Sequence, residues 1–540
     1  MHVNNLADHS NQTGEQNFWQ PSQKEADCHQ SLRTSDYESY KERNPDRVEG
    51  TCRWFLEHPH FQYWWKSKTS NLLWVSADPG CGKSVLAKSL VAKELKSTKI
   101  HTTCYFFFKD DNVEQTSATN ALCALLHQLF EQRKPLIKHA MSDFRSNGVY
   151  LHRLFERLWS ILKEAAADAE TGTVVCIIDA LDECEESGRT RLLNYLDHFY
   201  NDTTTNDRKN MVLKFLITSR PYFHIERNLQ GLISKHPVIR LAGEAETLSV
   251  SREINLVIKV EVQKLGETLK LDDSVRLILE EGLLKFRNRT YLWLHLILEV
   301  VRRRLETVSQ RKIRDILSSV PETVDKAYTA ILERSENKQS AKKLLSIIVS
   351  AVRPLTLREM NTAMTIEATC TSYDDLDLVP EEKCKVIIRN LCGLFVTIID
   401  SRIYLIHQTA REFLLSNSNP VMSSQDQNYT RVWKHSLTLE ASNLILARIC
   451  IWYLLFAVFE VEHLKPPPDL SGGPIRSGVP PKKDILDYTS THTFLSYAAN
   501  YWALHFREAH DDIDIGLLQS VSFKICDTQS LRFSNWFPVY

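Results

Sequence analysis

The stretch LLWVSADPGCGKSVLAKSL, Leu72–Leu90, decides the fold. An apolar, β-prone run ends at Ala77, a glycine-bearing loop follows, and the residues after Lys83-Ser84 space their apolar side chains as a helix does. Strand, glycine turn and helix in that order carry the phosphate-binding pattern GxxxxGK[ST], filled here by Ala77-Asp78-Pro79-Gly80-Cys81-Gly82-Lys83-Ser84. Backbone N–H groups of such a loop surround the β-phosphate, and the helix directs its positive end at the same anion. Gly80 and Gly82 let the backbone turn and come close to the phosphates. Lys83 is expected to reach the β- and γ-phosphates and Ser84 to ligate Mg²⁺, with Asp78, Pro79, Cys81 and Val85 completing the nucleotide-contacting set. Only the first position departs: Ala77 replaces glycine at the strand exit, the smallest change that adds a Cβ, and it is expected to be tolerated.

The chain has 540 residues, 43% hydrophobic and 25% charged, values of a globular protein with material for several cores. A formal net charge of −1 gives no global field that would draw in nucleic acid or acidic lipid. The basic run Arg302–Arg304 reads as a solvated helix end. The 12 cysteines form no CxxC pair and no zinc spacing. Cys176 and Cys450 sit inside apolar runs, where a thiol acts as a small hydrophobe, so a reduced, cytoplasmic setting is expected. The N-terminus lacks a basic start and an apolar core, so no signal peptide is expected. The apolar run Ile449–Phe459 is too short to span a bilayer and reads as a buried helix.

Short, continuous apolar runs at 71–77, 102–108, 174–180, 213–219 and 236–242 alternate with helix-length segments. That alternation predicts an α/β domain: a parallel sheet with helices on both faces. Residues 1–35 are polar and expected to be disordered, and 36–245 form the P-loop domain with an aromatic-rich lead-in helix. In that lead-in Trp54, Phe55, Phe61, Trp64 and Trp65 are expected to serve core packing more than ligand binding. A helical domain follows over 246–335. A winged-helix-like domain over 336–420 contains two strand-like runs joined near Asp400-Ser401. A C-terminal helical region over 421–540 surrounds a Pro/Gly-rich loop at 465–484.

VVCIIDALDE places Asp179 at a strand end with Asp182 and Glu183 just beyond. Beside a P-loop, Asp179 would hold the Mg²⁺ shell, and Asp182 or Glu183 would orient or deprotonate water. Without the P-loop the same letters describe a solvated acidic turn. LKFLITSRP ends another strand at Arg220, which can reach a γ-phosphate, or else serve as a surface or capping arginine.

Together these motifs resemble the NACHT class of STAND P-loop NTPases, and above all the fungal group with a nephrocystin-type NACHT module. GTCRWFLEHPHF, RTYLWLHLILE, VPETVDKAYTAILER, VRPLTLREM and RIYLIHQTAREFLL resemble that group as well, so the likeness runs over about 30–510. The resemblance, which extends to NLR-type immune receptors, implies a switch. ADP is clamped by the NTPase, helical and winged-helix domains in an off state; exchange for ATP with Mg²⁺ permits oligomerisation and engages a protein effector. It also implies a weak ATP hydrolysis through Asp182, Glu183 and Arg220, and a winged-helix histidine, His407, on the ADP β-phosphate. Adenine is favoured over guanine partly by resemblance, no NKxD element being present. Family members usually carry an effector domain before the module and repeats after it. About 45 mostly polar residues stand before it here and no repeat follows, which leaves a stand-alone switch, a fragment or a truncated gene product as readings. A non-hydrolysing scaffold with a structural nucleotide is the alternative; nucleic-acid remodelling is disfavoured by neutral charge and the lack of helicase-like motifs.

Overall fold

The computed structural model describes residues 21–201, 211–233, 236–241, 244–286, 290–304, 310–416, 432–461, 464, 482–509 and 515–540. Five parallel strands form the central sheet: β1 Asn71–Ala77, β2 His101–Phe107, β3 Thr173–Asp179, β4 Val212–Ser219 and β5 Val238–Leu241. Their order across the sheet is β2-β3-β4-β1-β5. The strands read as continuous apolar runs because each face feeds its own core. Leu72 and Trp74 of β1, with Val174, Cys176 and Ile178 of β3, enter one cluster. Leu73 and Val75, with Val175 and Ile177, enter the other. At about 1.5–3 kcal/mol per fully buried aliphatic side chain, both faces hold the sheet firmly.

Register aligns the strand ends: Ser76 lies opposite Ser219, and Ile178 opposite Ile217. Ala77, Asp179 and Arg220 therefore emerge along one edge, on three neighbouring strands.

The lead-in is ordered earlier than expected. Ser22 caps a helix, Gln23–Ser31, through a reciprocal capping box with Glu25, and Cys28 buries its thiol against the first core. Disorder through residue 35 is thus corrected for residues 21–35, where one apolar face per helix suffices for docking; residues 1–20 lie outside the described residues. Lys214, buried at the start of β4, anchors the end of the lead-in by donating to the carbonyl oxygens of Trp64 (2.9 Å), Trp65 (2.7 Å) and Ser67 (2.7 Å). The single lead-in helix expected from sequence is instead three short ones, Tyr37–Glu42, Arg53–Leu56 and Pro59–Lys66. Phe55, Phe61 and Trp64 pack into the second core, as expected.

Beyond the sheet the chain is helical, from Glu244–Leu269 to Val324–Leu332. The winged-helix unit follows: helices Lys338–Ser350, Leu357–Thr365 and Glu381–Cys392, the hairpin β6 Val396–Ile399 and β7 Arg402–Leu405, then Gln408–Leu414. Asp400 and Ser401 both have positive φ, 48° and 59°, which a two-residue hairpin turn of this hand requires. One contiguous core runs from Ile254 through the winged helix into the C-terminal helices, ending at Trp536. The Ile449–Phe459 run is buried, as the C-terminal half of helix Leu439–Leu454 and the turn after it. Residues 465–481 of the Pro/Gly-rich loop lie outside the described residues, whereas Lys482–Thr491 is helical. No helix among the described residues is long and apolar enough to cross a membrane.

Candidate nucleotide site

At the exit of β1 the loop turns through Gly80 (φ 76°) and Gly82 (φ 84°). A Cβ on Gly80 would meet Thr290 and Leu292 at 3.1–3.3 Å, and one on Gly82 would meet the Tyr291 ring at 3.1 Å. The helical domain thus packs directly on the loop, and the Tyr291 amide donates to the Gly80 carbonyl (3.1 Å). Lys83 folds back, its Nζ donating to the carbonyl oxygens of Ala77 (2.6 Å) and Asp78 (3.0 Å). Ala77 is buried and continues β1 without distortion.

Asp179 is fully buried. Its Oδ1 accepts from Thr218 Oγ1 (2.6 Å), while its Oδ2 has no hydrogen-bond partner. Burial pushes the carboxyl above its ordinary range, opposed by the hydroxyls of Ser84 and Thr218 and by Lys109 and Lys83. A buried, half-satisfied carboxylate facing the P-loop serine offers the hard oxygen donors that Mg²⁺ takes. Among the described residues no three His, Cys, Asp or Glu side chains gather as a closed metal cage. These residues fit an ion shared with a phosphate.

Ala180 adopts φ 55°, unusual for a residue with a Cβ, and turns the chain so that Asp182 and Glu183 diverge from Asp179. Asp182 accepts from the Arg220 amide (3.0 Å) and pairs with Arg220 Nε (3.2 Å). Glu183 accepts from the Asp110 amide (3.2 Å) and lies 3.5 Å from Lys109 Nζ. Burial pushes Glu183 toward its protonated form despite Lys109. The Lys109 ammonium is held charged by Glu183 and Asp179 against the desolvation that would lower it.

Arg220 reaches across to the winged helix, its Nη2 donating to Gln408 Oε1 (2.6 Å) and its Nη1 to Glu412 Oε1 (2.5 Å) and Tyr222 Oη (2.9 Å). His407 caps that same helix, its Nδ1 accepting from the Thr409 amide (3.1 Å). Burial, then Lys109, Arg220 and Lys83, depress its pKa to about 3, so the imidazole is neutral and set in a strongly positive surrounding. Lys83, Lys109 and Arg220 thus all bear on the neutral His407, with Asp179, Asp182, Glu183 and Glu412 as their carboxylate counterparts.

The segment Lys109–Val113 joins this site to the winged helix. At one end Lys109 and the Asp110 amide hold Glu183; at the other the Val113 amide donates to the Val352 carbonyl (3.2 Å). Between them Asp111 pairs with Arg43 (3.3 Å), whose Nη2 donates to Tyr404 Oη of β7 (2.7 Å).

On the other side of the P-loop a cavity of about 220 Å³ opens beside Gly82, Lys83 and Val85. Cys52 and Trp54 of the lead-in, with Glu253, Tyr291 and His295 of the helical domain, form much of its wall. Trp54 packs against the second core, as expected, and also lines this cavity. Glu253 accepts from the Arg53 amide (3.1 Å) and from Tyr291 Oη (3.4 Å).

Sequence reading missed Lys109, Gln408, Glu412 and this cavity wall. Lys109 had a signal, standing just past the C-terminal end of an apolar parallel strand, where open α/β sheets place ligands. Gln408 and Glu412 are one helical turn apart and so share a face, which marks them only once His407 is taken as a pointer. Trp54 belongs to the aromatic run for which sequence ranked ligand binding second, and nothing local marks Tyr291.

Residues 50–220 match the family model described as nephrocystin 3, N-terminal, and residues 328–425 that described as the GPI inositol-deacylase winged helix domain. The vegetative incompatibility protein HET-E-1 of Podospora anserina is 27% identical over 412 residues, 74% of this chain and 29% of that protein. The chain thus spans less than a third of that relative's length. The Aeropyrum pernix ORC2 protein in its ADP form matches at a TM-score of 0.33 and 13% identity, over 69% of this chain and 94% of that one. Its ADPNP-ADP complexes match at 0.27 and 13%, over 71% and 89%. TM-scores this low add nothing to the assignment. Motif order, sheet topology and the two family models agree: over these residues the chain resembles the NACHT-related P-loop NTPases with a nephrocystin-type module, followed by a winged helix.

Proposed function

We propose that the chain is a nucleotide-dependent switch that binds ATP or ADP with Mg²⁺, hydrolyses ATP slowly, and changes shape and self-association between the two states. One observation carries this reading: the winged-helix segment His407–Glu412 closes onto the cations that a phosphate chain on Lys83 would meet. A closed form of this kind suits a diphosphate, since Arg220 is already engaged by Asp182, Gln408 and Glu412.

Lys83 exchanges its loop carbonyls for phosphate oxygens, and the backbone around Gly80 and Gly82 surrounds the β-phosphate. Ser84 and Asp179 hold Mg²⁺, which supplies charge neutralisation on the phosphates when bound. The cavity beside Val85 takes the base and ribose, with Trp54 and Tyr291 offering aromatic surface. Glu183 is the candidate base for water, and Asp182 positions Arg220. Burial favours a protonated Glu183, a poor proton acceptor near neutral pH, which supports slow turnover. The same observation favours the second reading, a non-hydrolysing scaffold with a structural nucleotide. All 12 cysteines are free thiols, which supports a cytoplasmic setting.

The test is to purify the chain without added nucleotide, denature it, and identify what is released by ion-pair chromatography. Near-stoichiometric ADP is the expected outcome. No released nucleotide together with no ATP binding on titration would overturn the reading. Turnover that disappears in Glu183→Gln with binding intact would exclude the scaffold.

A further inference from the structure

Arg220 is nearly saturated, with four of its five N–H donors engaged. A guanidinium has five N–H donors. Nε pairs with Asp182 (3.2 Å), Nη1 serves both Tyr222 Oη (2.9 Å) and Glu412 (2.5 Å), and Nη2 serves Gln408 (2.6 Å). The Arg220 side chain is 5% exposed, so a new anion finds no open flank. A γ-phosphate that takes more than the one remaining Nη2–H has to displace a present partner, and the two carboxylates are the partners whose charge opposes it.

The two carboxylates differ in how easily they leave. Asp182 is 2% exposed and also accepts from the Arg220 amide, so releasing it would strand a buried charge. Glu412 is 45% exposed and returns to water with little penalty. It is also carried on the short helix Gln408–Leu414, whose cap, His407, faces the same cations.

We propose that Glu412 sets the preference of this site for a nucleoside diphosphate over a triphosphate, by holding the flank of Arg220 that a γ-phosphate takes. A triphosphate then binds only by displacing Glu412, which removes one of the contacts by which the winged helix holds the sheet domain. Glu412 is a specificity determinant that touches the sensing arginine and not the reacting atoms. The proposal rests on the reading of Arg220 as the γ-phosphate contact, which the experiment separates from the role of Glu412.

The test is calorimetric titration of the full chain with ADP and with the β,γ-imido analogue of ATP, each with Mg²⁺, for the wild type and Glu412→Gln. This substitution keeps the side-chain size and removes the charge, at a half-exposed position where folding is expected to survive. The analogue is expected to bind about tenfold more tightly relative to ADP in the variant, the size of one charge-assisted hydrogen bond. In an Arg220→Ala background the same substitution is expected to have no effect on the ratio, which ties the effect to this pair. An unchanged ratio in Glu412→Gln, with both nucleotides bound by the wild type, would overturn the proposal. A ratio that shifts equally with and without Arg220 would overturn it too, leaving only general repulsion of phosphate by Glu412. A wild type that binds neither nucleotide overturns the switch reading itself, and this proposal with it.

Discussion

At the proposed phosphate end of the cleft the charged groups of the sheet domain stand at a strand end or in the segment after it: Lys83 after β1, Lys109 after β2, Asp179 and Glu183 at and after β3, Arg220 after β4. At the base end the wall is assembled from the lead-in, Cys52 and Trp54, and from the helical domain, Glu253, Tyr291 and His295. The first arrangement is set by hydrogen-bonded register, which fixes strand ends relative to one another. The second exists only after separate helical units dock. The strand-end groups are therefore expected to keep their places when the helical domain loosens; the base end, and the loop glycines that Thr290–Leu292 cover, are not.

Variants can break this contrast. Lys83→Ala is expected to lower affinity for ADP and for inorganic pyrophosphate alike, by about 100-fold or more, because a charge-assisted contact contributes about 1.5–3 kcal/mol and Lys83 makes several. Titration with both ligands checks it; loss confined to ADP would contradict the division into two ends. Trp54→Ala is expected to weaken ADP by about tenfold and leave pyrophosphate unchanged, since it removes only apolar contact area. An equal loss on pyrophosphate would show that the two ends are not separable.

Lys214→Met tests the anchoring of the lead-in to β4. It leaves the Trp64, Trp65 and Ser67 carbonyls without their shared donor, a loss of about 2 kcal/mol, read as a lowered denaturation midpoint. A variant as stable as the wild type would mean that the lead-in docks through its aromatic side chains alone.

The smallest effect is on acid stability. Burial holds His407 near pKa 3, and His127 and His505 near 4, below the ordinary value of about 6.5. Between those values the unfolded chain binds protons that the folded chain refuses, so stability is fully present above about pH 6.5 and declines as the pH falls toward 3–4. His505→Gln is expected to flatten part of that decline, measured as denaturant midpoints from pH 7 to 4.5; an unaltered slope would assign the decline to other groups.

What could be read from sequence follows the same division. The five strands lie within one or two residues of the apolar runs at 71–77, 102–108, 174–180, 213–219 and 236–242, because continuous apolar character is what two covered faces impose. The hairpin turn at Asp400-Ser401 falls where the two apolar runs break. Asp179 and Arg220 could be placed because a parallel strand delivers its last residue to a common edge. Their partners could not be placed. That Asp182 would turn back onto Arg220 depends on the left-handed Ala180, and that Glu412 would meet Arg220, 192 residues earlier, depends on where the winged helix docks. The order of residues 21–35 was hidden because a short polar-looking helix reveals its buried face, Cys28 and Leu32, only against the surface that covers it.

The five residues Lys109–Val113 act as a mechanical linkage. One end is fastened to Glu183 and the other to the winged helix at Val352, with the Asp111–Arg43–Tyr404 bracket across the middle. A tether so short cannot absorb a large displacement by uncoiling, since five residues span at most about 18 Å when fully drawn out. If the winged helix swings outward, either the Val113 and Tyr404 fastenings part first, or the pull arrives at Glu183 as a changed position of Lys109. The order in which those fastenings fail would then decide whether opening of the molecule is felt at Glu183, the proposed base, or passes it by.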